Sequence, residues 1–462
     1  MDLPVIDPPI FPRWVWIEEI TYSHIPIATV VNTLVLLAPI FEYIGLRRND
    51  PRFDRLAKGF VIFSLILFSP GAALGTGIPM WIMGTYPEFW SRWANLFFWP
   101  LTAQFIFFLG EVIFLFFFYY LCWEKLEKRK ALHIFFGCMA AFFSLAVQAV
   151  WDGLGSYMLT PSLDLPPIDQ PVAWSAAAFF NPSFPFLFWH RFFGNLSYVM
   201  LLTGGIFAVA AMKQRDEKER EYYRFVSGIT FPLGFLSFFM MPLIGWGYAA
   251  VIRQHAPVAF HAIMGGHVAP HFLVKMSFVA AMVALGALSL FSRRDSWWLR
   301  PAIAAGLVLV FAVFLRHPPL TAVTDSRLVW SAGLLVLFVL FAVLLWRFAQ
   351  RIDHRHPFWQ WSKLAIGLFA FCAFLIGGFV RERSRSPYTV YKEIVKPEAV
   401  DLEADRFLFY DKCLGCHRVG DISRSRTADW PARVAAERQR PGAAISEDEA
   451  RRISRYLAEA YP

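Results

Sequence analysis

PLTAQFIFFLGEVIFLFFFYYLCWEKLEKRK, residues 100–130, decides what kind of fold this chain adopts. Between Gln104 and Trp123 the only charged side chain is Glu111, and the stretch then breaks into a connection rich in Lys and Arg. A membrane span needs about 20 mainly apolar residues, and a run this apolar and this long is read as one. The pattern recurs. A first span is expected over residues 25–46, and others centre on Leu65, Phe108, Phe142, Met200, Phe235, Met282, Val308, Leu337 and Ala370. The fold class predicted is therefore all-α, a polytopic membrane bundle of about ten transmembrane helices.

Composition agrees. The chain has 462 residues, of which 57% are hydrophobic and only 17% charged, more apolar than a soluble core requires. Several spans carry Pro or Gly, as in SPGAALGTGIPM at residues 69–80. Lipid tolerates these only where neighbouring helices or a cofactor satisfy the released backbone groups, so close interior packing is expected there. The opening MDLPVIDPPIFPRW has no basic segment followed by an apolar one, so no cleaved signal peptide is expected and the first span directs insertion.

Lys and Arg in the connections set the orientation. RRNDPRFDRLAK, WEKLEKRK, KQRDEKEREYYR, SRRDSWWLR and WRFAQRIDHRH are basic, whereas no Lys or Arg occurs between Lys130 and Arg191. The basic connections alternate with the poor ones, which places them in the cytoplasm and both termini in the periplasm of a bacterial inner membrane. This topological bias accounts for the net charge of +9 and removes nucleic acid as an expected partner.

Beyond about residue 390 the chain turns polar and contains no further span. Within it DKCLGCHRVG holds Cys413, Cys416 and His417 as C-x-x-C-H, the pattern in which two thiols attach a haem and the histidine ligates its iron. That chemistry belongs on the outer side, where the charge pattern also puts the tail. Ser446 and Glu449 stand at capping-box spacing, and Ala450, Ile453 and Leu457 then share one helical face. The expected division is a bundle over residues 1–392 and a mono-haem cytochrome c-like domain over residues 393–462. No Met or further His follows His417, so its sixth ligand is open; Glu437 is one candidate. The other cysteines, Cys122, Cys138 and Cys372, read as packing residues.

Ionisable side chains at membrane depth are costly and mark functional sites. His24 stands at the outer start of the first span, Glu111 within the third, His190 at the opening of the fifth, and Glu382 and Arg385 at the end of the last. Met276 follows Lys275 near the start of the seventh. A histidine, a methionine and a carboxylate on separate helices can ligate haem iron, and His/Met ligation suits a low-spin electron-transfer haem. His133, His354 and His356 are assigned to cytoplasmic connections without a function.

These segments resemble subunit I of the cytochrome bd-type quinol oxidases over roughly residues 12–392. HIPIATVV from His24 is similar to the segment whose histidine binds a high-spin haem, GTGIPM from Gly75 to a second-helix signature, and PLTAQFIFFLGEVIF to the glutamate-bearing third helix. In NPSFPFLFWH, Asn181 and Pro182 precede His190 at the family's spacing for its low-spin haem histidine, and Lys275–Met276 matches the segment supplying the paired methionine. FVRERSRSPY resembles the family's Glu-x-x-Arg-x-Pro-aromatic stretch, which implies Glu382 as a candidate ligand of a second high-spin haem and Arg385 as a partner for a propionate. The departures are Gln104 at the position of the family's first third-helix glutamate, Glu111 one residue short of the second, and a short segment, residues 251–271, in place of the long quinol loop.

The resemblance implies two or three b-type haems, haem d being an alternative for one, beside the covalent haem c. Quinone is a further candidate ligand, and Glu111 and Arg385 are the candidate catalytic side chains. The partners expected are a second bd-type membrane subunit, a periplasmic c-type cytochrome or other carrier, and the bilayer. The function expected is a membrane oxidoreductase moving electrons between that carrier, haem c and the membrane haems. Reduction of O₂ is one end reaction; quinol oxidation with electrons leaving through the tail, or a non-catalytic relay within a larger complex, are the alternatives.

Overall fold

The computed structural model describes residues 13–163, 172–264, 268–291, 356–384, 429–440 and 445–460, with isolated positions before residue 13 and between 405 and 413. The expected spans at Val308 and Leu337 lie outside the described residues. Among the described residues the secondary structure is entirely helical, and eight helices are long and apolar enough to cross a membrane. The all-α bundle read from the sequence is therefore present. Two compact units divide the chain, Met1–Ser237 and Phe238–Pro462.

In the first unit α1 (Arg13–Arg48) runs antiparallel to α2 (Pro51–Thr85), and the turn is set by Asp50, whose side chain accepts the Arg52 N–H at 3.0 Å. The two helices approach closely because α2 presents Gly71 and Gly75 one turn apart. A Cβ on Gly71 would meet Ile27 at 2.9 Å and one on Gly75 would meet His24 at 2.6 Å. With lipid as solvent there is no hydrophobic drive between helices, and small residues that let backbones approach supply the packing instead. A short helix, α3 (Pro87–Leu96), leads into α4 (Phe98–Val112), which continues as a π-helix over Ile113–Tyr120.

Helix α5 (Lys130–Tyr157) lies against α1, α4 and the π-helix. The four-residue α6 (Ala176–Phe179) and the C-terminal end of α5 enclose an apolar cluster of Leu96, Phe97, Val150, Leu154 and Tyr157. Helix α7 (Phe184–Lys213) packs on α1 and α5, and α8 (Glu217–His255) approaches it where Gly204 faces Phe231 and Gly234 faces Leu201.

The second unit contains α9 (Pro257–Met264), α10 (Ala269–Phe291) and α11 (Phe358–Ser384), with α10 and α11 packed along their length. It also holds the tail helices α12 (Trp430–Arg438) and α13 (Glu447–Ala460). The capping box is formed: the Ser446 N–H donates to Glu449 Oε2 at 2.7 Å and the Glu449 N–H to Ser446 Oγ at 3.2 Å. Ile453 and Leu457 then bury with Phe409, Trp430, Val434 and Tyr456 in a separate apolar cluster, against which Cys413 and Ala450 pack.

Candidate functional site

His24 is oriented by the helix beside it. Its Nδ1 lies 2.8 Å from the carbonyl oxygen of Gly71. A carbonyl only accepts, so Nδ1 carries the proton and Nε2 keeps its lone pair. A backbone carbonyl on one ring nitrogen fixing the other for a metal is the usual arrangement of a ligating histidine. Gly75 provides the space, since any side chain there would strike the ring. The residues present fit a haem held from Nε2 of His24.

Around it the bundle interior is polar. Tyr198 on α7 donates to the Pro26 carbonyl at 3.1 Å and forms a very short hydrogen bond with Thr29. Farther along α7, Arg191 forms a tight ion pair with Asp152 of α5, whose side chain is fully buried. Gln148 donates to Asp152 at 3.2 Å and accepts from Asn195 at 3.2 Å. Paired, hydrogen-bonded charge is the form in which an interior can hold ions at all.

His190 sits half-buried in the second turn of α7. The loop before α7 is tied to α5 by Asn181, whose Nδ2 donates to Ser156 Oγ at 2.8 Å and whose Oδ1 accepts the Ser183 N–H at 3.3 Å. Asn181 thereby sets where the helix begins, which gives the Asn-Pro pair ahead of His190 a physical role.

Glu111 is buried within α4, and the Ser144 hydroxyl of α5 donates to its carboxyl. Asn32 of α1 donates to the Ser144 carbonyl at 3.0 Å, completing a three-helix contact. Two turns before Glu111, the side-chain oxygen of Gln104 is buried without a hydrogen-bond partner among the described residues.

In the second unit Met276 is half-buried on α10, and its neighbour Lys275 reaches α11, where a Cβ on Gly377 would lie 3.2 Å from Nζ. Glu382 closes α11 with its side chain 11% exposed, and Arg381 Nη2 is 3.5 Å from its Oε1. Arg385, Cys416 and His417 lie outside the described residues. Cys413 lies on the tail's apolar cluster, the kind of surface a covalent haem would cover, and Glu437 pairs with Arg440 at 3.0 Å.

The profile of the family described as cytochrome bd terminal oxidase subunit I matches residues 18–410. The chain belongs to that family. A solved structure described as that of bd oxidase from Geobacillus thermodenitrificans matches with a TM-score of 0.55 at 18% identity, covering 93% of this chain and 98% of that one. At such identity the likeness is one of fold. No curated protein matches the chain. Membership makes this bd-type subunit a multi-pass membrane oxidoreductase of the respiratory kind.

One group of residues was missed from sequence. His133 is not a connection residue: it sits in the first turn of α5, 1% exposed, with Nδ1 2.7 Å from Glu42 Oε1. Glu42 lies near the end of the first span. The signal available was a lone carboxylate five residues before the Arg47–Arg48 pair, still inside the apolar run.

Proposed function

We propose that this bd-type subunit reduces O₂ at haems in the bundle, with electrons entering from a periplasmic c-type carrier through a haem covalently held by Cys413, Cys416 and His417. The observation that carries the reading is Cys413 packed on the tail's own core of Phe409, Trp430, Val434, Ile453, Tyr456 and Leu457. A domain of this size makes a weak core alone, and a covalent haem adds a large apolar centre. Residues 393–462 form the cytochrome domain on this reading and residues 1–392 the bundle, with both termini periplasmic.

His190 and Met276 are assigned to a low-spin b-type haem, His24 to a high-spin haem, and Glu382 with Arg385 to a second high-spin site, of b or d type. Bound iron porphyrin supplies one-electron transfer and an open coordination position for oxygen. What this chain contributes is orientation and protons. The Gly71 carbonyl holds the His24 tautomer, and Asp152 neutralises Arg191 between α5 and α7. Glu111, with Ser144 on its carboxyl, is the proton-exchanging group nearest the middle of the span. Gln104 cannot ionise, so Glu111 carries that role without a carboxylate at the position of the family's first third-helix glutamate. A second bd-type membrane subunit completes the complex.

Oxygen uptake by the purified complex tests this directly. Reduced cytochrome c should support uptake and quinol should not. Quinol-dependent reduction of cytochrome c without uptake would reverse the flow, and neither activity would leave a relay subunit.

A further inference from the structure

Glu42, His133 and Tyr119 meet at the end of the first unit that carries the basic connections, apart from the candidate haem ligands. All three are essentially fully buried. The Tyr119 hydroxyl donates to Glu42 Oε2 at 3.0 Å, Lys130 Nζ lies 3.2 Å from Oε1, and His133 Nδ1 lies 2.7 Å from the same oxygen. The other ring nitrogen, His133 Nε2, lies 2.8 Å from the Tyr119 carbonyl within the π-helix.

That geometry specifies where protons are. The Tyr119 carbonyl can only accept, so Nε2 carries a hydrogen. Nδ1 facing a carboxylate oxygen at 2.7 Å requires one more proton between them. The pair therefore holds a proton that can leave while Nε2 keeps its own. When it leaves, the carboxylate faces an imidazole lone pair, and the Tyr119 hydroxyl with the Lys130 ammonium holds the remaining negative charge. The rings of Tyr119 and Trp123 pack on the imidazole, with centroids 4.6 and 4.7 Å away.

We propose that Glu42 and His133 form a proton-loading station, filled from the aqueous side past Lys130 and Asp54 and emptied toward Glu111. Lys130 bridges Glu42 to Asp54, 3.1 Å away, and the Asp54 side chain is 37% exposed, so the station touches water through one ion pair. The titratable groups facing it are Glu42 from α1, Asp54 from α2, Tyr119 from the π-helix, and Lys130, His133 and Cys138 from α5. Toward Glu111 the lining turns to Val35, Ala38, Leu115 and Ala140, all buried. Tyr119 lies eight residues beyond Glu111, on the order of 12 Å along a helix, so delivery needs a transient file of water. Pro39 leaves the Val35 carbonyl without its helical donor, which gives such water an acceptor midway.

The step is a bare proton transfer, one proton taken from water and one passed inward, with no change in oxidation state. It rests on the oxidase reading for its purpose, because oxygen reduction consumes protons. In the whole purified complex, Glu42→Gln should retain all haems and their reduction by an added reductant. It should lose about tenfold or more of oxygen uptake, with a rate that falls as pH rises instead of staying level. Glu42→Asp should recover most of it, and Tyr119→Phe, which removes one hydrogen bond and keeps the ring, should stay within about twofold. Full uptake with a level pH profile in Glu42→Gln overturns the proposal. Should Glu42→Gln assemble without haem, the infrared difference between oxidised and reduced complex decides, read in the native protein and in Glu42→Asp. A carboxyl band moved by that substitution supports the station, and identical spectra refute it. A native complex without oxygen uptake removes the oxidase reading alone, since the infrared band needs only haem reduction.

Discussion

His24 on α1 donates from Nδ1 to the Gly71 carbonyl on α2 at 2.8 Å, while its Cε1 lies 2.6 Å from where a side chain on Gly75 would begin. One glycine gives the ring a partner and the next gives it room. Gly75→Ala should therefore displace the imidazole without touching its chemistry. Haem retention at that site should fall about 10–100-fold, as for other supports of a ligating histidine, with the c-type spectrum unchanged. Pyridine haemochrome counts on the purified complex check it.

On the proposed assignment, His190→Ala should remove one low-spin b-haem signal and leave a haem c signal intact, because His190 and the C-x-x-C-H stand on separate parts of the chain. Asn181→Ala should weaken the same signal by a different route, loosening the start of α7 through its lost bonds to Ser156 and Ser183. Unaltered b-type absorbance in His190→Ala would mean that the fifth span holds no haem.

In the tail, Asp405 is fully buried and accepts from Arg452 Nε at 2.7 Å and from Arg455. Asp405→Ala strands both guanidiniums, which remain about a third exposed and can rehydrate. A cost of about 1–3 kcal/mol is expected, read as a lower melting temperature of the haem c signal while the b-type signals melt as before.

Acid should loosen the last helix. The Ser446 N–H, and after it Lys412, hold the Glu449 carboxyl below its ordinary value of 4.5. A carboxylate depressed in the folded state adds stability that is fully present above its ordinary pKa and is lost as pH falls through the folded one. Amide protection in α13, corrected for intrinsic exchange, should be level from neutral pH down to about 4.5 and decline below it. Glu449→Gln should flatten that decline.

Much of this was legible in one dimension. The spans follow from apolar length, since lipid demands internally bonded helices of a set size, and the tail's capping box and apolar face follow from local spacing alone. The α3 helix was not foreseen, because a ten-residue amphipathic piece is too short to stand out against the spans around it.

What the linear sequence determined is the helical, membrane-spanning character of the chain: apolar lengths, the alternation of basic connections, the order of the candidate ligands and the C-x-x-C-H of the tail are each properties of neighbours along the chain. What only the tertiary structure decided is which polar groups meet. His24 finds Gly71 across 47 positions and Glu42 finds His133 across 91. Such pairings depend on helix rotation and depth, which side-chain packing sets and no spacing encodes. Burying a polar group is costly unless another answers it, and here the fold brings Glu42 and His133 together from two helices, residues that, read singly, announce nothing.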